Sequence, residues 1–197
     1  MQNNELENLF GKSRVQRYKN TQEDWLYLCE KNIDISKSFY RKLYIFETFL
    51  RNRIDVEFTK TFSSDWLILK TTNFQFQERG AVKIKEVHKR FNSKKLTHND
   101  IMENLTFGFW VGLFHAYYNR QVWGMQGCDM MTRIFPSLTN KQKAFKTVAK
   151  EIDIIRKFRN KIFHFADILN ANCEEVETLL TKYTKGIYNG KEFLIER

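Results

Sequence analysis

The segment RNKIFH, at positions 159–164, places an arginine and a histidine five residues apart. Histidine has an ordinary pKa close to neutral pH, so His164 is a candidate general acid or base. On a helix, Asn160 and Asp167 would lie one turn before and one turn after it, where either side chain can orient the imidazole. The same residue types also occur as packed or solvated pairs, so their spacing alone does not establish a catalytic site.

Arg159 and His164 would point in different directions on a straight helix. Five residues correspond to a rotation of about 140°, so the two side chains do not converge within one chain. A site that uses both residues needs a bend in the helix or a second copy of it.

The segment belongs to a predicted amphipathic helix over residues 140–169, in which Arg159 interrupts an apolar stripe. A second predicted helix, residues 35–61, is apolar on two sides, with Glu47 inside one stripe and Arg51 at its edge. A carboxylate on a buried face is costly unless it is paired, so we expect Glu47 to pair with Arg159. The three stripes consist of Val148, Ile152, Ile155, Ile162 and Ala166; of Leu43, Phe46, Leu50, Ile54 and Phe58; and of Ile45, Phe49 and Val56.

The rest of the pattern predicts an all-helical bundle, because the chain has one proline and eight glycines. Further helices are predicted over residues 21–31, over 79–95 and from a cap at Thr97 or Asn99 to residue 118, where Gly108 and Gly112 would let another backbone approach. A capping box at Thr139 precedes the helix that carries the motif, and Asn172 caps the last one. Residues 62–78 are a loop or a short strand. We predict a basic N-terminal arm (1–20), mobile or bound to a partner, one helical domain (21–186) and a tail (187–197) with an Asn-Gly hairpin.

Composition favours an anionic partner and a reducing compartment. The 197 residues carry a net charge of +10, which suits nucleic acid, an anionic membrane or an acidic protein. Three widely spaced cysteines form no C-x-x-C pair and no metal knuckle, and no signal peptide or membrane span is recognisable, so we expect a cytoplasmic protein.

Four segments resemble the HEPN superfamily of ribonucleases, and within it the Abi-like (abortive-infection, AbiD/AbiF-type) family. RNKIFH resembles the R-x(4–6)-H signature, including the polar residue after the arginine. FETFLRN at 46–52 resembles the Glu-x-x-Leu-Arg element of the family's N-terminal helix, and LTFGFW at 105–110 its central Phe-Gly motif. RIFPS at 133–137 resembles the segment before its last long helix. The order is that of the family.

The resemblance implies a HEPN-like bundle with a long central C-terminal helix and a metal-independent endoribonuclease without a cofactor. Arg159 would neutralise the phosphoryl oxygens, and His164 would move a proton at the ribose 2′-OH or the departing 5′-oxygen. Glu47 would hold Arg159, and Asn160 would position phosphate or the histidine. Two protomers would face one cleft as a homodimer. A toxin or phage-defence role would follow, with a small structured RNA as restraint.

The basic tracts fit an RNA partner. Residues 79–95 and 141–161 each carry a local excess of positive charge, as does the N-terminal arm. Tyr117, Tyr118 and Trp123 suit base stacking, although core packing is favoured for them. The predicted RNA-binding residues are Arg51, Lys83, Lys85, Lys89, Arg90, Arg156, Lys157 and Lys161.

Two other functions remain open. One is a non-catalytic RNA-binding module, which is favoured by Phe165, since many relatives have a second histidine at that place. The other is a helical protein-interaction or regulatory subunit whose charge is incidental.

Overall fold

The computed structural model describes residues 2–19, 23–91, 95–125, 127 and 129–188, and within these ranges it contains helices and turns but no strand. This confirms the all-helical fold class. No helix among the described residues combines the length and the apolarity needed to cross a membrane. The α-helices are α1 (Gln2–Phe10), α2 (Lys12–Lys19), α3 (Trp25–Thr61), α4 (Glu78–Arg90), α5 (His98–Asn104), α6 (Phe107–Gly112), α7 (Met130–Ile134), α8 (Phe145–Phe163) and α9 (Cys173–Ile187).

Helix α3 continues without a break over 37 residues, where the sequence predicts two separate helices. The segment expected to separate them, residues 32–34, contains neither glycine nor proline, so nothing interrupts the hydrogen bonding. Its stripe from Leu43 to Phe58 is confirmed as the centre of the main core, with each member at most 1% exposed. Of the second stripe, Ile45 is buried, whereas Val56 is 43% exposed.

Residues 2–19 of the N-terminal arm form two packed helices, in contrast to the mobile or partner-bound segment expected. Val15 and Tyr18 on α2 are 1% and 3% exposed. They pack on the first turns of α3 in a small second core with Leu28 and Cys29. Leu6 and Phe10 of α1 pack against this core, whereas Leu9 is 79% exposed.

The predicted helix from residue 98 to 118 is divided into shorter pieces. Thr97 and Asp100 form the capping box of α5, in agreement with the predicted cap at Thr97. The backbone becomes extended at Leu105 and Thr106, and α6 then continues only to Gly112. Residues 62–77, where a strand was one possibility, form turns whose Phe74 and Phe76 rings pack against Trp66 and extend the aromatic core.

Helix α8 is shorter than the predicted helix at both ends. The Thr139–Gln142 capping exchange is present, but residues 140–143 form a turn, so the helix begins at Phe145. It spans 19 residues, and α3 rather than α8 is the longest described helix. The predicted cap of α9 is confirmed, because the Asn172 side chain accepts a hydrogen bond from the Glu175 amide at 3.1 Å. The predicted hairpin in the tail falls on residues 189–197, outside the described residues.

Candidate active site and adjoining basic groove

Glu47 on α3 and Arg159 on α8 form an ion pair, as predicted. The Nε of Arg159 donates a hydrogen bond of 3.2 Å to Oε2 of Glu47. The side chains of Glu47 and Arg159 are only 27% and 23% exposed, respectively. Burial raises the pKa of Glu47, and the charge and hydrogen bond of Arg159, together with the charge of Arg51, offset this only in part. The pair therefore fixes the guanidinium at the boundary between core and solvent.

The guanidinium is also held from its flat side. Its central carbon lies 3.9 Å from the centroid of the Phe163 ring, one turn further along α8. That ring stacks in turn on Tyr40 of α3, with 4.9 Å between the ring centroids. Within the described chain, Glu47 is the only hydrogen-bond acceptor of Arg159 and uses Nε, so both terminal nitrogens can bind an anion.

His164 lies at the C-terminal end of α8, where the helix closes with a Schellman motif. The amide of Ala166 donates to the carbonyl of Lys161 at 2.8 Å, and the amide of Phe165 donates to that of Ile162 at 3.0 Å. Phe165 takes a left-handed conformation, with φ of 52°, at a position that glycine usually occupies. His164 is exposed, and its amide still bonds to the Asn160 carbonyl, so it keeps its helical place.

The expected orientation of His164 by Asn160 or Asp167 is not observed. Because α8 ends at Phe163, Asp167 lies in the following loop. Its carboxylate accepts a hydrogen bond from the Leu169 amide at 2.9 Å and bonds to the Tyr18 hydroxyl. In the part of the chain that the structure describes, no hydrogen bond reaches the imidazole of His164.

Sequence reasoning missed Asn32, which holds the loop after His164. Its Oδ1 accepts a hydrogen bond from the Ile168 amide at 2.9 Å, and its Nδ2 donates to the Ala166 carbonyl at 3.3 Å. Asn32 lies in the segment where the sequence predicts a break between helices, so no pattern identifies it as a partner of this loop.

A groove with a volume of about 660 Å³ lies between α4, α6 and α8. Of the predicted RNA-binding residues, Lys83 and Arg156 line this α4–α8 groove from opposite sides. Arg79 and Lys150 also line it; they belong to the predicted basic tracts but are not among the residues named for RNA binding. Sequence reasoning missed His115, because three segments far apart in sequence build the walls of the groove. The complete lining consists of Gln77, Arg79, Gly80, Lys83, Thr106, Gly108, Phe109, Val111, Gly112, Leu113, Phe114, His115, Tyr118, Ala149, Lys150, Asp153 and Arg156.

The other predicted RNA-binding residues are dispersed. Lys85 and Lys89 follow Lys83 by two and six residues, which is a rotation of about 200° and about 240° around the axis of α4. Both are therefore exposed on the other side of this helix. Arg90, at the end of α4, and Lys161, on α8, are exposed. Lys157 forms an ion pair with Asp153, and Arg51 donates to the side chain of its neighbour Asn52.

Two of the three aromatic residues considered for base stacking belong to the core. Tyr118 is 2% exposed and its hydroxyl accepts a hydrogen bond from the Gln77 amide. Trp123 is 8% exposed and its Nε1 donates to the Leu113 carbonyl. Tyr117, at 48% exposure, is the member of the three that solvent reaches.

Among the described residues, no group of three or more histidine, cysteine, aspartate or glutamate side chains is placed to hold a metal ion. Comparison of the chain with protein-family models, curated proteins and solved structures found no match.

Proposed function

We propose that this protein is an endoribonuclease of the HEPN type, in which Arg159 binds the scissile phosphate and His164 transfers the proton. The observation that carries the proposal is the Glu47–Arg159 ion pair. It holds a guanidinium with two unbonded nitrogens on the same helix as an exposed histidine, at the spacing of the R-x4-H motif. Such a pairing suits the binding of a negatively charged phosphate rather than mere packing.

The reaction uses both groups, and His164 carries out one of its two proton transfers. A base removes the proton of the ribose 2′-OH, and the 2′-oxygen attacks phosphorus. The bond from phosphorus to the 5′-oxygen breaks, and an acid protonates that oxygen. The products are a 2′,3′-cyclic phosphate and a 5′-hydroxyl. Arg159 stabilises the charge that develops on the two non-bridging oxygens, because its donors are already in place.

A homodimer would bring Arg159 of one chain close to His164 of the other. Arg159 and His164 lie about 140° apart around α8, so one chain presents them in different directions. Three aromatic residues near the motif, Tyr40, Tyr44 and Phe165, are 53%, 70% and 72% exposed. An aromatic surface of this kind suits contact with a second copy of the chain.

The dimer has a direct test in complementation. Arg159→Ala and His164→Ala should each be inactive alone. If one site takes Arg159 from one protomer and His164 from the other, mixed dimers contain one intact site, and mixing the purified variants restores part of the activity. A monomeric mass at full activity would contradict the shared site.

The nuclease activity is tested with labelled RNA and a DNA of the same sequence, in EDTA. The wild type should cleave only the RNA, since DNA lacks the 2′-OH, and should leave cyclic phosphate ends. His164→Ala should reduce the rate by ~10²–10⁴-fold, whereas His88→Ala, a control at a histidine on α4, should retain it. Cleavage by His164→Ala at the wild-type rate would exclude the proposed role of His164.

A non-catalytic RNA-binding module is the second candidate. Two observations favour it. No described residue forms a hydrogen bond with the imidazole of His164, and Phe165 stands where many members of the family that the chain resembles have a further histidine. In that case the wild type and His164→Ala bind RNA equally and neither cleaves it. Co-purified RNA released from the wild type would instead indicate a restrained nuclease, and weak, salt-insensitive RNA binding would favour a protein-interaction module.

A further inference from the structure

The α4–α8 groove carries an excess of positive charge. Arg79, Lys83, Lys150 and Arg156 line it, together with one carboxylate, Asp153. Within the described residues, Arg79 and Lys150 form no ion pair, so their charges are not neutralised by the protein. The groove is therefore suited to an anion with several charges.

The single carboxylate is already occupied by cations. Asp153 accepts from Nη2 of Arg156 at 2.7 Å and from Nζ of Lys157 at 2.9 Å. Burial would raise the pKa of Asp153, but these hydrogen bonds and charges lower it below its usual range. Asp153 therefore orders the rim of the groove rather than opposing an anion.

The floor of the groove on α6 is open. Gly108 and Gly112 are four residues apart and both exposed. A Cβ added at Gly112 would meet no atom within 4 Å, and one added at Gly108 would meet only the Thr106 hydroxyl, at 3.8 Å. The sequence suggests that these glycines admit another backbone, but among the described residues none approaches them. The space above α6 is thus free for a ligand.

The basic wall of the groove leads to the candidate active site. On the regular helix α8, Asp153, Arg156, Asn160 and His164 lie within about 80° of one another around the axis. Lys150 and His164 are separated by 14 residues of that helix, or about 21 Å. One continuous face of α8 thus extends from the groove past Asn160 to the imidazole.

We infer that the α4–α8 groove binds a single strand of RNA and directs it along α8 to His164. Phosphates contact Arg79, Lys150 and Arg156, and sugars and bases lie over the glycines of α6. The volume is in the range of pockets that bury a ligand of nucleotide size, so we expect the groove to take one strand rather than a duplex. This inference rests on the proposed action on RNA, and it assigns to the fold the residues that select an unpaired strand.

The test measures binding apart from cleavage, in the His164→Ala background. A fluorescent single-stranded RNA of about 12 nucleotides is titrated by anisotropy over a series of salt concentrations. Arg79→Glu and Lys150→Glu should each weaken binding by about tenfold. The slope of log affinity against log salt should become shallower by about 0.7 for each phosphate that the variant no longer binds.

Matched variants separate the groove from general charge and from folding. Lys70→Glu makes the same charge change at an exposed lysine outside the groove and should bind as the parent does. Gly112→Phe fills the groove without changing charge and should weaken binding far more than Gly112→Ala. Thermal unfolding of each variant checks that the helices remain folded.

Each outcome is decisive. If the groove variants bind RNA like the parent while His164 is needed for cleavage, the groove inference is wrong and the nuclease stands. If they lose binding but the wild type never cleaves, the groove stands and the nuclease is wrong. Equal binding of double-stranded RNA, with the same sensitivity to the variants, would refute selection of a single strand. A wild type that binds no RNA refutes both proposals.

Discussion

The backbone amide of Ile168 donates a hydrogen bond of 2.9 Å to Oδ1 of Asn32, a residue near the other end of the chain. The same amide side chain donates to the carbonyl of Ala166 at 3.3 Å. Asn32 therefore replaces two backbone hydrogen bonds that the loop loses when α8 ends. The loop after His164 is held by α3, and not only by its own helix.

Asn32→Ala should lower the free energy of unfolding by ~1–3 kcal/mol, because two partly buried backbone groups lose their partners. Asn32→Asp keeps the acceptor for Ile168 but loses the donor to Ala166, and it should therefore lose less stability. Urea unfolding of the three proteins measures both differences. Equal midpoints and slopes for Asn32→Ala and wild type would show that the loop does not depend on this side chain.

Glu47→Gln should change the pH dependence of stability. The pKa of Glu47 is raised on folding. Its contribution to the free energy of unfolding is therefore fully present below the ordinary glutamate pKa, about 4.3, and this contribution is lost as the pH rises through the pKa of the folded state. Glutamine resembles the protonated carboxyl and does not titrate. Unfolding in urea at a series of pH values should therefore show the variant gaining stability relative to wild type as the pH rises.

The control for this experiment is Glu103→Gln on α5, which changes an exposed side chain outside the site. It should not show this gain in stability with rising pH. The raised pKa would be contradicted if the stability of Glu47→Gln relative to wild type stayed constant with pH or fell as the pH rises.

Phe165→Gly should stabilise the fold slightly. A left-handed conformation costs a non-glycine residue ~1–2 kcal/mol, and glycine avoids this cost but loses more backbone entropy on folding. The ring is 72% exposed, so little burial is lost. We expect a net gain of up to about 1 kcal/mol in thermal or urea unfolding, and no gain for Phe165→Ala, which keeps the backbone cost. A clear loss for Phe165→Gly would mean that packing of the ring outweighs the backbone strain.

Asp153→Asn should strengthen RNA binding if the groove takes phosphates. The substitution releases Arg156 and Lys157 from their ion pairs and removes the only carboxylate from the described lining. Anisotropy titrations should show higher affinity and a salt slope steeper by about 0.7 for each released cation that binds a phosphate. Lys37 pairs with Asp34 on the surface of α3, so Asp34→Asn is a matched control. Weaker binding by Asp153→Asn would indicate that the ordered ion pairs matter more than the net charge.

The same variant has a stability readout. Since the pKa of Asp153 is lowered on folding, its stabilising contribution is present above the ordinary aspartate pKa, about 3.9, and is lost as the pH falls through the folded pKa. Asp153→Asn should therefore be less stable than wild type near neutral pH, by a small amount for a carboxylate that is one-third exposed. This difference should disappear in acid.

The Glu47–Arg159 pair could be predicted from sequence because both helices have a regular apolar period, and each charge interrupts a stripe that must be buried. The cap at Asn172 has a local signature, and it too was confirmed. The end of α8 has no such signal, because Phe165 occupies a position where glycine would mark the stop. The groove depends on how α4, α6 and α8 are arranged in space, which no single segment encodes.

Long-range pairing also bears on how the protein is made. Glu47 and Arg159 are 112 residues apart, and Asn32 and Ile168 are 136 apart, so the first partner of each pair leaves the ribosome long before the second. A nascent chain that ends after α3 does not yet contain Arg159, the partner of Glu47, or the loop that Asn32 holds. The activity that we propose therefore arises only after translation has passed Ile168. Until then, the messenger RNA that encodes the chain is not exposed to the complete proposed site.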